Sequence, residues 1–262
     1  MAPDQGGSGH ESPWEQYAGW WQQNFTEGAD AEYSEQILPL VAAELGRGTR
    51  VLDVGTGEGQ VARLVAGSAS RGRSASRHGR MVVGADPSRA QLSEAARRGG
   101  GPRYVRAEAG TLPFASGSFD TVVACLVFEH ITDVDAVMGE VARVMRPRGR
   151  FLFLLNHPLL QTPGSGWIDD RILDEQYWRI GPYLVEDESL EEVDKGIFIP
   201  FVHRPLSRYV NAMAGAGLLV TRMEEPAPPP GFLARAAEYV EAERIPRLLY
   251  LRAEKRGVTR RG

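Results

Sequence analysis

The stretch Val51-Leu-Asp-Val-Gly-Thr-Gly-Glu-Gly59 decides how the rest of the chain is read. A short apolar run carries an acid, Asp53, and ends in glycines at 55, 57 and 59, after which a helical pattern begins at Gln60. A strand, a bare-backbone turn and a helix N-terminus form a cradle where a ligand can approach the main chain. The spacing is G-x-G-x-G, not the G-x-G-x-x-G of dinucleotide-binding turns. An acid inside the strand gives a pyrophosphate no advantage, whereas a ligand with a positive amino group gains from it.

The chain has 262 residues, 42% hydrophobic and 24% charged, with a net charge of −4. These values fit one elaborated α/β domain and give no global attraction to nucleic acid. The single cysteine, Cys125, lies in the apolar run Val122-Val-Ala-Cys-Leu-Val127 and reads as a buried thiol. One cysteine forms neither an intrachain disulfide nor a multi-cysteine metal site, so no metal is expected. The polar start of the chain shows no export signal and no apolar stretch is long enough for a bilayer, so a cytoplasmic protein is expected.

Along the chain, strands and helices alternate. Residues 1–12 read as disordered. Residues 13–25 read as a helix with Trp14, Tyr17 and Trp21 on one face, either docked on the core or acting as a lid whose aromatic faces meet a bound cation. Residues 33–45 form a second helix, with a kink or boundary at Pro39, closed by Gly46 and Gly48. After the first crossover helix, the Arg- and Ser-rich segment 67–80 reads as a flexible surface insertion. Strand two, 81–85, leads to Asp86, and Ser88 caps a helix through Arg98. Strand three is expected at 103–107, strand four at 119–125, a helix at 133–145, a turn at 147–150 and strand five at 151–155. Further on come a helix at 206–216, a strand at 218–223, a stiff connector at 226–230, a helix at 232–244, a last antiparallel strand at 245–251 and a frayed basic tail after Arg252. Right-handed crossovers make this an open parallel sheet covered on both faces, whose ligands sit at the carboxyl ends of the strands. Asp53, Asp86, Glu108 and Leu126 all fall at such ends.

With those residues in hand, the segment 51–155 resembles the core of a class I S-adenosylmethionine-dependent methyltransferase, in the small-molecule group that includes the ubiquinone/menaquinone-biosynthesis type. The matching pieces are the glycine turn, Val83-Gly-Ala-Asp-Pro-Ser88, Ala107-Glu-Ala-Gly-Thr-Leu-Pro-Phe114, Ser118-Phe-Asp-Thr-Val122 and Val144-Met-Arg-Pro-Arg-Gly149. The family commonly has Asp where this chain has Glu108. The resemblance implies a Rossmann-like seven-stranded, mostly parallel sheet with helices on both faces, an N-terminal helical lid and a cap inserted after strand five. The expected division is a start and lid at 1–45, the cofactor core at 46–155, the acceptor cap at 156–205 and the rest of the core sheet at 206–262. For S-adenosyl-L-methionine it implies that Asp53 and the backbone around Gly55, Thr56 and Gly57 hold the methionine part. Asp86, followed by Pro87, takes the ribose hydroxyls, Glu108 and Ala109 read the adenine edge, and Leu126 lies beneath the methionine chain.

Methyl transfer is an in-line displacement that gains from positioning and exclusion of water, with a base useful for some acceptors. Candidate bases are His130, His157 and His203, each of which also reads as a structural histidine. The segment 156–205 adds Trp167, Tyr177, Trp178 and Tyr183 and an acidic run at 186–194 read as a solvated face. The expected partner is a small-molecule methyl acceptor. The alternatives are a nucleic-acid methyltransferase, against which Leu126-Val-Phe-Glu stands where an Asn-Pro-Pro-Tyr-type segment would be, and a non-catalytic protein that binds the cofactor.

Overall fold

The computed structural model describes residues 12–27, 29–45, 50–68, 80–239 and 241–257. Its chain order begins with α1 (Pro13–Gln16), α2 (Ala18–Phe25), a π-helical stretch (Glu32–Ile37) and α3 (Leu38–Glu44). Then come β1 (Arg50–Val54), α4 (Gln60–Ser68), β2 (Met81–Asp86), α5 (Arg89–Arg98), β3 (Arg103–Arg106) and β4 (Phe119–Cys125). A 3-10 turn (Phe128–His130) precedes α6 (Val134–Val144) and β5 (Met145–Asn156). Two hairpins follow, β6 (Gly166–Asp170) with β7 (Glu175–Arg179) and β8 (Asp187–Asp194) with β9 (Ile197–His203). The chain closes with α7 (Leu206–Gly215), β10 (Leu218–Glu224), α8 (Pro230–Arg235), a 3-10 turn (Ala242–Arg244) and β11 (Leu248–Lys255).

Seven strands form one sheet in the order β10-β11-β5-β4-β1-β2-β3. Strands β1 to β5 pair in parallel, and β11 is antiparallel to both β5 and β10. The chain leaves β1 toward β2 on one side and returns to β4 on the other, so the carboxyl ends of β1 and β4 flank the switch point. This is the Rossmann-like architecture expected from the sequence.

Alternation along the strands feeds two cores. Leu52, Val54, Phe151 and Phe153 face α6 and α7, packing with Met138, Val141, Tyr209 and Met213. Val51, Leu152 and Leu154 face the other way, toward Val61, Val65, Ile37 and Val41. A sheet buried on both faces needs apolar residues at successive positions, and the continuous runs in β1, β4 and β5 supply them. Cys125 is buried, as its apolar run predicts.

Several local expectations change. The 13–25 helix breaks at Tyr17, whose backbone leaves the helical region between α1 and α2. Pro39 sits in the first turn of α3, at the boundary where the π-helical stretch passes into the α-helix, as expected. Gly67 and Ser68 belong to α4 rather than to the insertion, whose residues 69–79 lie outside the described residues, as do 1–11, Gly46 to Gly48 and 258–262. β5 begins at Met145, and Arg148 at φ 63° marks the expected turn within it. The acidic run forms β8, a largely exposed strand paired with β9. The helix expected at 232–244 stops at Arg235 and gives way to a turn. The final strand starts at Leu248 and runs through Lys255, since Arg252, Ala253 and Glu254 pair with both neighbours; it does not fray at Arg252.

Candidate functional site at the carboxyl ends of β1, β2 and β4

The turn after β1 is held by its own backbone. Gly55 N and Thr56 N both donate to Ala85 O, at 2.8 and 3.0 Å, so the loop leans over the end of β2. Gly55, Gly57 and Gly59 have φ of 66°, 53° and 84°, the left-handed region that glycine enters at little cost. At Gly55 an added Cβ would lie 2.4 Å from Val127 Cγ2, whereas at Gly57 it would meet nothing within 4 Å. Gly57 therefore borders open space.

Two buried acids fix that space. Asp53 accepts from Thr56 Oγ1 at 2.6 Å. Burial pushes its carboxyl up to about 7, with the charges of Asp86 and Glu58 adding to the rise. Asp86 accepts from Gly57 N through Oδ2 at 2.9 Å and from Ser88 N through Oδ1 at 2.8 Å. Burial raises its carboxyl too, against those two donors. Among the described residues neither acid has a cationic side chain bonded to it, unlike neighbouring Glu58, which is paired with Arg63 and Arg98. Two acids that share no counter-ion favour a ligand bringing positive charge and hydroxyl donors.

All nine residues expected to hold a cofactor line one cavity: Asp53, Gly55, Thr56, Gly57, Asp86, Pro87, Glu108, Ala109 and Leu126. Leu126 is placed there by a left-handed turn (φ 53°) as the chain leaves β4, its N–H bonded to Leu154 O at 2.9 Å. Glu108 is exposed at the rim, after β3. Trp14, Trp21, Phe25 and Tyr33 line the same cavity.

Of the three candidate histidines the structure brings one to this place. His130 lines the cavity, with Trp14 at 4.6 Å edge to face and Phe201 at 4.8 Å between ring centroids. Its Nδ1 is 2.8 Å from Pro200 O, and a carbonyl only accepts, so Nδ1 holds the proton and Nε2 keeps its lone pair. Burial lowers its pKa to about 4. His157 and His203 line neither this cavity nor its neighbour. His157 is buried with Nε2 2.7 Å from Glu225 Oε1, and His203 donates from Nε2 to Tyr183 O at 2.9 Å. His157 thereby joins the segment after β5 to the residue that follows β10, and His203 joins the end of β9 to Tyr183; neither is brought to the cavity that His130 lines.

Two acids escaped sequence reasoning. Glu15 reaches α5, accepting from Ser88 Oγ at 2.7 Å and Ala90 N at 3.3 Å. The pattern Ser12-Pro-Trp-Glu15 signals a capping box, and Ser12 does accept from Glu15 N at 3.3 Å, but the Glu15 carboxylate caps a different helix. Glu129 is 1% exposed, its carboxyl pushed up to about 7 by burial. A charged residue inside a short 3-10 turn gives no sequence sign of such burial.

Residues 52–153 match the family described as a methyltransferase domain. A demethylmenaquinone methyltransferase of Thermus thermophilus is 33% identical over 131 residues, 48% of this chain and 55% of that protein. A ubiquinone/menaquinone biosynthesis C-methyltransferase of Desulfotalea psychrophila is 33% identical over 135 residues, 51% of each chain. The chain thus spans about half the length of the curated relatives it matches. The crystal structure of an S-adenosylmethionine-dependent methyltransferase from Mesorhizobium loti superposes with a TM-score of 0.68 at 28% identity, covering 83% of this chain and 96% of that one. With the sheet order, the glycine turn and these matches together, residues 52–153 form a class I S-adenosylmethionine-dependent methyltransferase domain.

Proposed function

We propose that the protein is an enzyme that binds S-adenosyl-L-methionine and moves its methyl group to an O, N or C nucleophile of a small molecule. The observation that carries this reading is the pair of buried acids, Asp53 and Asp86, which meet across the glycine turn without a cation between them. S-adenosylmethionine, when bound, supplies an electrophilic methyl on a positive sulfur. The residues present fit it: buried carboxylates suit positive charge and sugar hydroxyls, and the open space at Gly57 leaves room for close approach to the backbone.

In this reading Asp53, Gly55, Thr56 and Gly57 hold the amino-acid part of the cofactor. Asp86 beside Pro87 accepts from the ribose, Glu108 and Ala109 meet the adenine edge, and Leu126 supports the chain between them. Residues 1–45 then serve as start and lid, 46–155 as the cofactor core, 156–205 as the acceptor cap and 206–262 as the remainder of the sheet. His130 takes a proton at Nε2 from acceptors that must lose one, since its imidazole is neutral near pH 7 and Nδ1 is already committed. The aromatic wall of Trp14, Trp21 and Phe25 keeps water from the reacting centre. No helix among the described residues is long and apolar enough to cross a membrane, and a cytoplasmic site of action accords with the one buried cysteine.

Calorimetry with S-adenosylhomocysteine tests the reading. Asp86→Ala removes a charged acceptor and should weaken binding by about 1–3 kcal/mol. Equal affinity in the variant and the parent protein would remove the ribose assignment, and no binding to either would remove the function.

A further inference from the structure

The segment α1 is a single turn of helix with little of its own to hold it in place. It spans four residues, ends where Tyr17 leaves the helical region and buries none of its side chains. A turn that short is not stable by itself in water, so contacts made elsewhere decide where it sits. Those contacts reach two places far apart in the chain.

On one side Glu15 meets the start of α5. Its Oε2 accepts from Ser88 Oγ at 2.7 Å and from Ala90 N at 3.3 Å, and Trp14 O lies 3.2 Å from the same hydroxyl. Ser88 is 1% exposed, and its N–H is given to Asp86 Oδ1 at 2.8 Å. The hydroxyl that holds α1 therefore belongs to a residue already fixed by the acid at the end of β2. A hydrogen bond from a buried hydroxyl to a carboxylate is among the stronger ties open to a surface turn.

On the other side Trp14 packs edge to face on His130, with 4.6 Å between ring centroids, and edge to face on Trp21 at 5.5 Å. His130 is held in turn by Pro200 O and packs on Phe201 of β9. One hydrogen bond at Nδ1 leaves an imidazole free to rock about it, and the aromatic contacts remove that freedom. Trp14 and Glu15 are consecutive, so the bond at Ser88 fixes the indole that meets the imidazole.

We infer that Glu15 is a positioning residue: acting through Ser88, it holds Trp14 against His130 and so keeps the imidazole in one orientation and apart from water. What His130 then does to an acceptor rests on the methyltransferase reading; the contact itself does not.

The test is read on the imidazole. In protein labelled at histidine, the ring protons of His130, assigned by their loss in His130→Phe, carry a ring-current displacement that Trp14→Ala removes. Glu15→Ala should move them most of the way to the Trp14→Ala position. Glu15→Gln, which keeps an acceptor oxygen for Ser88, should leave them near the parent position. The ring of His157, bonded to Glu225 Oε1 at 2.7 Å, should stay in place in all of these variants, which separates a local release from a general loosening. With S-adenosylmethionine and a host metabolite extract, Glu15→Ala should slow methylation of an acceptor that must lose a proton by about ten- to a hundredfold, but by no more than about twofold once Trp14 is alanine, since the cost is that of a misplaced reacting group. His130 protons that stay at the parent position in Glu15→Ala, or that move as far in Glu15→Gln, overturn the assignment. A rate loss from Glu15→Ala that is equal with and without Trp14 also overturns it. If no protein, parent included, yields a methylated product while the His130 protons follow the expected pattern, the methyltransferase reading falls and the placement of His130 by Glu15 stands.

Discussion

Ser88 Oγ donates a 2.7 Å hydrogen bond to Glu15 Oε2 while accepting from Gln91 N at 3.2 Å, so one hydroxyl caps α5 and ties the N-terminal segment to it. Glu15 thereby places negative charge at the N-terminus of α5, beside the end of β2. Its carboxyl is held below the usual range, mainly by the Ser88 bond. A depressed acid contributes stability above its unfolded pKa and loses it as pH falls through the folded value. Glu15→Gln should therefore cost about 0.5 kcal/mol in urea unfolding at pH 7 and progressively less as the pH falls below the ordinary carboxylate range. A cost that does not change with pH would show that charge plays no part.

Gly55 and Gly57 separate folding from binding. Both have positive φ, but an alanine Cβ at 55 meets Val127 and one at 57 meets nothing. Gly55→Ala should lower stability by about 2–4 kcal/mol, strain and collision together, in thermal unfolding. Gly57→Ala should cost only about 1–2 kcal/mol of stability yet weaken S-adenosylhomocysteine more than Gly55→Ala weakens it per unit of lost fold. Parallel losses at the two sites would contradict the view that Gly57 borders the ligand.

Much of this was legible in the chain, and the limits have physical causes. The runs Val51-Leu-Asp-Val54 and Phe151-Leu-Phe-Leu-Leu155 identify buried strands because both faces of the sheet are covered. The stripe Val134, Val137, Met138 and Val141 identifies α6 because one face of that helix is buried. The cap was legible only as an interruption. Its hairpins expose Ile172, Leu184 and Leu190, so the contrast between inside and outside that makes periodicity visible is weak there. The pairing of Glu129 with Asn156 was invisible because they lie on separate segments that only the fold brings together.

The acidity of Asp53 gives a pH prediction of opposite sign to that for Glu15. Its folded pKa is raised, so between about 4 and about 7 the folded protein keeps a proton that the unfolded chain has lost. Stability contributed by this residue falls as pH rises through that window and is constant above it. Asp53→Asn should raise the stability of the ligand-free protein at pH 8 by on the order of 2 kcal/mol, flatten the slope below pH 7, and weaken S-adenosylmethionine binding. Glu129 titrates in a similar window, so the comparison is made against the Asp53 variant rather than against the absolute slope. A variant less stable than the parent at pH 8 would reject the assignment.

His130 carries the kinetic prediction. Addition of protein and S-adenosylmethionine to a host metabolite extract, read by mass spectrometry, should reveal a species heavier by one methyl group. His130→Phe should slow its appearance by about 10²- to 10⁴-fold for an acceptor that must lose a proton, with S-adenosylhomocysteine affinity held within about threefold. As the folded imidazole titrates near 4, the parent rate should show no histidine limb between pH 5.5 and 8. An inflection near 6.5 that persists in the variant would place the proton elsewhere.

Trp20 Nε1 of α2 donates to Asp194 Oδ2 at the end of β8 at 2.8 Å, across 174 positions of chain. The helix that supplies Trp21 and Phe25 to the cavity is thus tied to a hairpin far along the sequence, so a change in that hairpin would be felt at the wall of the cavity.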